Sequence, residues 1–250
     1  MSSFSLTFHR LASLPYFYSL AGKLLPWAGG LSIMLFGVGL YMGLVLAPTD
    51  YEQGDSYRII YVHVPAAWMS MFVYVVLAIA GAIALVWRLK LAEVVARASA
   101  PIGASYTFLA LATGSIWGKP MWGTWWIWDA RLTSELILLF LYLGYIALQS
   151  AIDDRRTAAR AGAVLALVGV VNLPIIHYSV EWWSTLHQGP TVTKFDSPSI
   201  HLSMLIPLLL MALAFQIHFV TAVLARIRPE ILVREQRTQW VERLISPRQS

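Results

Sequence analysis

The sequence predicts an all-α integral membrane protein of six transmembrane helices, with both termini cytoplasmic and a tryptophan-rich outer loop between the third and fourth helices. Three observations predict it. Of 250 residues, 58% are hydrophobic and 12% charged, a balance foreign to ordinary soluble domains. Six apolar stretches approach the roughly 20 residues needed to cross the hydrocarbon layer, at about 25–47, 64–87, 101–117, 132–149, 161–178 and 201–225. Lys and Arg divide fourteen to four between the two sets of connecting segments, and the positive-inside bias assigns the richer set, which includes both tails, to the cytoplasm.

Taken in order, the 24 residues before the first span carry Arg10 and Lys23 but no small-x-small site ahead of a short apolar core, which predicts an uncleaved first helix. Residues 1–20 place Phe4, Leu6, Phe8, Leu11, Leu14, Phe17 and Tyr18 among polar positions, a pattern for an amphipathic helix in the interface. The spans leave only short connections and two tails, so a single membrane domain covers 1–250, without internal repeat. Arg88 to Arg97 and Asp153-Asp154-Arg155-Arg156 read as solvated inner loops. The cytoplasmic tail, 226–250, sets Ile231, Leu232, Trp240, Val241 and Leu244 among Arg and Glu, the pattern of an interfacial helix lying on the membrane surface or of a docking segment.

Composition also excludes functions. The net charge of +5 sits beside the spans, where orientation accounts for it, so nucleic acid is not an expected partner and membrane lipid is. The absence of cysteine removes disulfides, Cys-ligated zinc, iron–sulfur clusters and thiol transfer. No Gly-x-x-x-x-Gly-Lys-Ser/Thr run occurs, so ATP hydrolysis would belong to a partner.

Sorted by side, the polar and aromatic residues fall unevenly. His63, His177, His187 and His201 collect on the outer face, with His9 and His218 on or toward the inner. Five of eleven tryptophans lie between 117 and 129, in Trp117-Gly-Lys-Pro-Met-Trp122-Gly-Thr-Trp125-Trp126-Ile-Trp128-Asp129. A single tryptophan such as Trp27 or Trp87 needs no more than the interfacial belt to explain it. Five together exceed anchoring, and Gly118, Pro120 and Gly123 break helical continuity within the run, predicting a shaped loop or short interfacial helix that presents several indole faces. Such a surface suits a large, flat, apolar ligand. Haem combines a stacking macrocycle, two anionic propionates and an iron that takes imidazole, and the outer face offers all three complements.

The run Trp122-Gly-Thr-Trp125-Trp126-Ile-Trp128-Asp129 resembles the signature of the haem-handling membrane proteins of cytochrome c biogenesis. With Tyr61-Val62-His63-Val64-Pro65 opening the second span and Glu181-Trp-Trp-Ser-Thr-Leu-His187-Gln-Gly before the last, the chain is similar to the haem exporter protein C (CcmC) family of the cytochrome c maturation system. The resemblance covers nearly the whole chain, weakening at the first 20 residues and the tail. It implies that His63 and His187 resemble the family's pair of axial histidines, and that haem b, transiently bound, docks on a platform of Trp117, Trp122, Trp125, Trp126 and Trp128. It implies delivery to a periplasmic haem chaperone, protein E, with release coupled to an ATP-driven transporter of proteins A and B and a small protein D. The setting implied is the bacterial inner membrane, with the haem site facing the periplasm, and the chain is a carrier and not an enzyme.

Other polar residues carry plainer readings beside sharper ones. Asp129 serves as a local ion pair or helix cap, or completes the Trp-Trp-Asp element and positions the platform. Arg58, Lys119 and Arg131 are outer cations, with Lys194, and one or more of them should face the propionates. Glu135 lies one turn after Arg131 on the fourth span, and an Arg131–Glu135 pair is the structural expectation, in competition with propionate binding. His177, near Asn172 and Pro174, reads as part of a helix kink or as a secondary haem contact, His201 as an interfacial residue, and His177 with Glu181 lacks the His-Glu-x-x-His motif of a zinc site. Two rival functions stand behind haem delivery. A permease moving haem or another solute through its own bundle would need broken helices and mid-span ionisable groups, whereas the helix centres read as apolar. An intramembrane hydrolase or synthase using His177, Glu181 and Asp129 lacks a recognisable acid, base and nucleophile set.

Overall fold

A lipid-embedded backbone must satisfy its own hydrogen bonds, and this chain does so with helices throughout its apolar stretches. The computed structural model describes residues 12–183, 185–189, 192 and 197–246. Helix α1 (Leu14–Tyr41) ends in a π-helical turn (Met42–Leu46). A 3₁₀ turn (Asp55–Ile59) then leads into α2 (Ile60–Trp87), followed by α3 (Lys90–Trp122) and α4 (Ala130–Ala151). The fifth span is split into α5 (Arg155–Gly169) and α6 (Asn172–Trp182), α7 (Leu202–Arg234) is the sixth, and a short α8 (Gln239–Ile245) follows. Six helical segments are long and apolar enough to cross a membrane, as the sequence predicts.

Several run beyond their apolar stretches. α1 begins at Leu14, so residues 14–20 belong to the first membrane helix and not to a separate interfacial one, while residues 1–11 of that expected segment lie outside the described residues. The reason is packing: Leu14 is buried in a cluster with Val94, Ala98, Ile227 and Ile231 at one end of the bundle. α3 extends the expected 101–117 at both ends to 33 residues, about 50 Å at 1.5 Å per residue, against a hydrocarbon layer of roughly 30 Å. Trp117 to Trp122 are therefore part of the helix and not of the loop. Gly118 and Pro120 do not break it; only Gly123 does, ending the helix at φ 76° with its amide on the Lys119 carbonyl. The fifth span breaks at Val170 and Val171, which leaves Pro174 in the first turn of α6, where the missing amide costs nothing. The tail docks on the bundle: Val241 is buried and the Trp240 ring lies 5.7 Å from that of Tyr18.

Small residues let the helices approach closely. α2 packs chiefly on α3 and α1 on α7. The buried face of α3 is a row of Ala98, Ala100, Gly103, Ala104 and Ala110, and Gly81 of α2 faces the backbone of Ala163 in α5. Large buried side chains fill the spaces left: Tyr61, Tyr74 and Tyr142 are fully enclosed, and the Tyr142 hydroxyl donates to the Ser70 carbonyl at 2.8 Å. One mid-span polar pair departs from the apolar helix centres expected. His218, at the middle of α7 and not its inner end, has Nδ1 2.7 Å from the Tyr106 hydroxyl.

Tyr142 packs directly over Gly103, where an added Cβ would meet ring atoms at 2.2 Å. Gly103→Ala is accordingly expected to destabilise the bundle by about 1–3 kcal/mol through overpacking. Thermal unfolding in detergent should show a lowered midpoint, partly restored by adding Tyr142→Leu. An unchanged midpoint in Gly103→Ala would contradict the packing described.

Candidate functional site

Where α2, α3 and α4 reach the same end of the bundle, they enclose a pocket of about 770 Å³ including its open mouth. His63 from α2 lies on one side, Trp117, Met121 and Trp122 from the last turns of α3 on another, and Arg131 and Glu135 from α4 at its base. His187 and Gln188 enter from the segment that follows α6.

The two histidines face one another across it. Their ring centres are 6.4 Å apart with the planes inclined at 35°. His63 Nδ1 lies 3.0 Å from the Ala110 carbonyl oxygen, and His187 Nδ1 lies 3.0 Å from that of Gln188. A carbonyl only accepts, so in each ring Nδ1 carries the proton and Nε2 presents its lone pair. This is the arrangement by which proteins fix the tautomer and aim of a metal-binding imidazole. An imidazole nitrogen bonds a metal ion at about 2 Å with its ring centre roughly 1 Å behind, so two on opposite sides of one ion stand about 6 Å apart, as these do. Burial and the neighbouring Arg131 charge hold the His187 pKa below the ordinary histidine value, with the Gln188 carbonyl and Asp129 opposing, which favours the neutral, ligating form.

Each imidazole also meets an indole. Trp117 lies 5.7 Å from His63 and Trp122 lies 6.1 Å from His187, centre to centre. Trp117 is held by its Nε1 donating to Gln53 Oε1 at 2.9 Å. Gly114 makes room for His63: an added Cβ would stand 2.9 Å from the imidazole Cε1.

His187 is placed by a chain of bonds that begins at the start of α4. Asp129 caps that helix, its Oδ1 accepting from the Leu132 amide at 2.8 Å, while Oδ2 accepts from the Thr185 hydroxyl. Thr185 Oγ1 in turn accepts from the His187 amide at 3.1 Å. Asp129 is thus a cap, as one reading of the sequence has it, and it also ties down the segment that carries the second imidazole.

Not every expected residue lines the pocket. Among the five tryptophans, Trp117 and Trp122 do; Trp125 and Trp128 are 57% and 75% exposed, and Trp126 packs at 5.4 Å against Trp128. Helix α3 separates the first two from the rest by carrying them inward before Gly123 turns the chain. Of the cations, Arg58 donates to Asp55 Oδ1 and to the Gly43 carbonyl, and Lys119 donates to the Gly123 carbonyl at 3.0 Å, so neither points into the pocket. Lys194 lies outside the described residues. Arg131 is the one cation lining the pocket among the described residues. The expected Arg131–Glu135 ion pair does not form: Arg131 Nη1 donates to the Ile176 carbonyl at 2.9 Å, and Glu135 Oε1 accepts from Ser70 at 2.7 Å. His177 stacks edge-on with Tyr178 outside the pocket, and His201 caps α7.

Some contributors carried no sequence signal strong enough to single them out. Gln53, Thr113 and Gln188 are ordinary polar residues until the fold brings them to the imidazoles. Gly114 and Gly118 do stand at the small-x-x-x-small spacing that marks close approach in membrane helices.

Comparison with known proteins matches residues 7–242 to the family described as haem exporter protein C. Heme exporter protein C of Escherichia coli is 54% identical over 242 residues, 97% of this chain and 98% of its own length. That of Bradyrhizobium diazoefficiens is 54% identical over 93% of this chain and 88% of its own. A Marchantia polymorpha protein, described as a putative cytochrome c biosynthesis ccmC-like mitochondrial protein, is 45% identical over 74% of this chain and 78% of its own.

The Asp129–Thr185–His187 chain makes a specific demand on backbone dynamics. Asp129→Ala removes the cap and the Thr185 tie together, and cap loss alone costs about 0.5–2 kcal/mol. Hydrogen–deuterium exchange at the amides of Leu132 and His187 should accelerate about tenfold, with Thr185→Val reproducing the change at His187 alone. Unaltered exchange at His187 in both variants would show that the segment is held by other contacts.

Proposed function

The chain belongs to the haem exporter protein C family, and from that premise we propose that it holds haem, transiently, with the iron between His63 and His187. It is a multi-pass membrane protein of a family that handles haem for cytochrome c maturation. The observation that carries the proposal is the pair of imidazoles with ring centres 6.4 Å apart, each with Nδ1 committed to a backbone carbonyl, which leaves the Nε2 lone pair as the ligating one. Haem is the cargo, and its iron supplies the two axial positions that such a pair fills. Trp117 and Trp122, flanking the two histidines, offer aromatic surface to the macrocycle. Arg131 serves the propionates: it is the cation in the pocket, and only one of its nitrogens is taken by the Ile176 carbonyl. Trp125 and Trp128, exposed beside the mouth, extend the aromatic platform outward.

A pocket with a free mouth suits a carrier that must release its ligand, and the next holder is a periplasmic haem chaperone, protein E, which binds haem through its own chemistry. Proteins A and B of the same system form the ATP-driven transporter to which release is coupled, with the small protein D associated. The pocket faces the periplasm of a bacterial inner membrane, with both termini cytoplasmic, because the fourteen-to-four distribution of Lys and Arg favours that orientation. The chain itself binds, orients and hands over, so its role is transport and not catalysis.

The test uses protein purified in detergent from haem-replete cells. The parent should carry haem with a six-coordinate, bis-histidine absorption spectrum, and His63→Ala and His187→Ala should each lose that spectrum. Unchanged haem in both would overturn the ligand assignment. Arg131→Gln should retain the spectrum but lower haem occupancy about tenfold, the loss of one charge-assisted hydrogen bond of about 1.5–3 kcal/mol; full occupancy in that variant would remove Arg131 from propionate binding.

A further inference from the structure

At the end of the bundle opposite the histidine pocket, five cations converge. Arg88 closes α2, Lys90 opens α3, Arg156 and Arg160 stand in the first two turns of α5, and Arg234 ends α7. They border a cavity of about 540 Å³, and Glu93 is the single acid lining it. Arg234 takes that acid in an ion pair of 2.6 Å, and Lys90 turns to Glu235 at 3.4 Å. The side chains of Arg88, Arg156 and Arg160, all exposed, are left among the described residues with neither ion pair nor hydrogen bond, Arg156 meeting only the longer-range charge of Asp154. Arg88 moreover sits at φ 53°, a helix-ending position that ordinarily goes to glycine or asparagine. The orientation rule asks only that cations lie on this side of the membrane; it does not ask two separate helix ends, of α2 and α5, to bring three unpaired guanidinium groups to one concavity, where they repel one another.

We propose that this cavity binds the phosphate headgroup of an anionic phospholipid. A phosphate accepts several charge-assisted hydrogen bonds at once and would neutralise the three arginines together. The surroundings favour a lipid over a free phosphate. Ala84, Leu85 and Ala159 give the cavity an apolar side, and α5 continues from it with exposed Val164 and Val168, apolar surface along which acyl chains would lie. α2 and α5 are locked together there by the Gly81–Ala163 approach, so the cleft is a fixed one. Basic pockets between membrane helices are a known form of anionic-lipid recognition. The proposal is independent of haem binding at the other end.

The experiment compares lipid retention by native mass spectrometry of the full chain in detergent, with added dioleoyl phosphatidylglycerol or dioleoyl phosphatidylcholine. The variants are Arg88→Gln/Arg156→Gln/Arg160→Gln and a control with the same charge loss elsewhere, Arg226→Gln/Arg237→Gln/Arg243→Gln. Retained phosphatidylglycerol should fall at least fivefold in the first and stay near the parent level in the second, with phosphatidylcholine low throughout. Should the triple variant not fold, Arg160→Gln alone should lower retention about twofold. Equal phosphatidylglycerol retention in parent and pocket variants would overturn the proposal, as would equal losses in both triple variants, which would indicate diffuse charge. Displacement of the lipid by millimolar inorganic phosphate, with equal thermal protection by phosphate alone, would assign the cavity to a soluble phosphate ligand instead.

Discussion

The hydrogen bond from His63 Nδ1 to the Ala110 carbonyl settles where the lone pair of that imidazole points, and the pocket is arranged around the direction so fixed. It needs α2 and α3 in close contact, which Gly114 permits by leaving room for the ring. It needs the Ala110 carbonyl to accept a bond beyond its helical one, alongside the Thr113 hydroxyl 3.1 Å from the same nitrogen. The second imidazole is fixed by the same device, using the carbonyl of the residue next to it, and is brought within range by Asp129 and Thr185. Two rings from segments far apart in the chain are thus each aimed by a backbone carbonyl.

The long α3 is what allows this. By continuing as helix to Trp122, it brings Trp117 and Trp122 to the level of the histidines and keeps them in the pocket lining. Gly123 then ends the helix, and the segment 124–129 carries the remaining tryptophans outward before Asp129 starts α4. At the opposite end α3 begins beside the arginines of α2, α5 and α7. One helix thus connects an aromatic, imidazole-bearing end with a strongly cationic one, and the middle of the bundle is closed by buried tyrosines and small residues.

Much of this was legible in the sequence, and the misses have physical causes. Six spans follow from apolar length, because lipid leaves a backbone few alternatives. His63 and His187 separate from the other histidines only through the family resemblance, since side-sorting alone leaves four outer candidates. The tryptophan run reads as one platform because sequence gives proximity but not direction; a helical end at Gly123 sends Trp122 one way and Trp125 the other. Gly118 and Pro120 look like breakers by the rules of soluble chains. Gly118 is there for space, with the Trp122 ring 2.9 Å from where its Cβ would be, and Pro120 falls in the last turn of a helix that is ending anyway. The Arg131–Glu135 pair fails because tertiary partners, the Ile176 carbonyl and the Ser70 hydroxyl, outcompete a neighbour on the same helix. Thr185 was invisible because its role depends on a contact across 56 residues.

The central claim is that two imidazoles, one from α2 and one from the segment after α6, occupy opposite sides of a single haem iron. Electron paramagnetic resonance of the ferric, detergent-purified protein tests it most directly, with ¹⁵N-histidine labelling to count the coordinated imidazoles by their hyperfine coupling. The account predicts a low-spin ferric signal coupled to two histidine nitrogens, reduced to one in His63→Ala and in His187→Ala alike. A high-spin parent signal, or one coupled to a single histidine nitrogen, would contradict it.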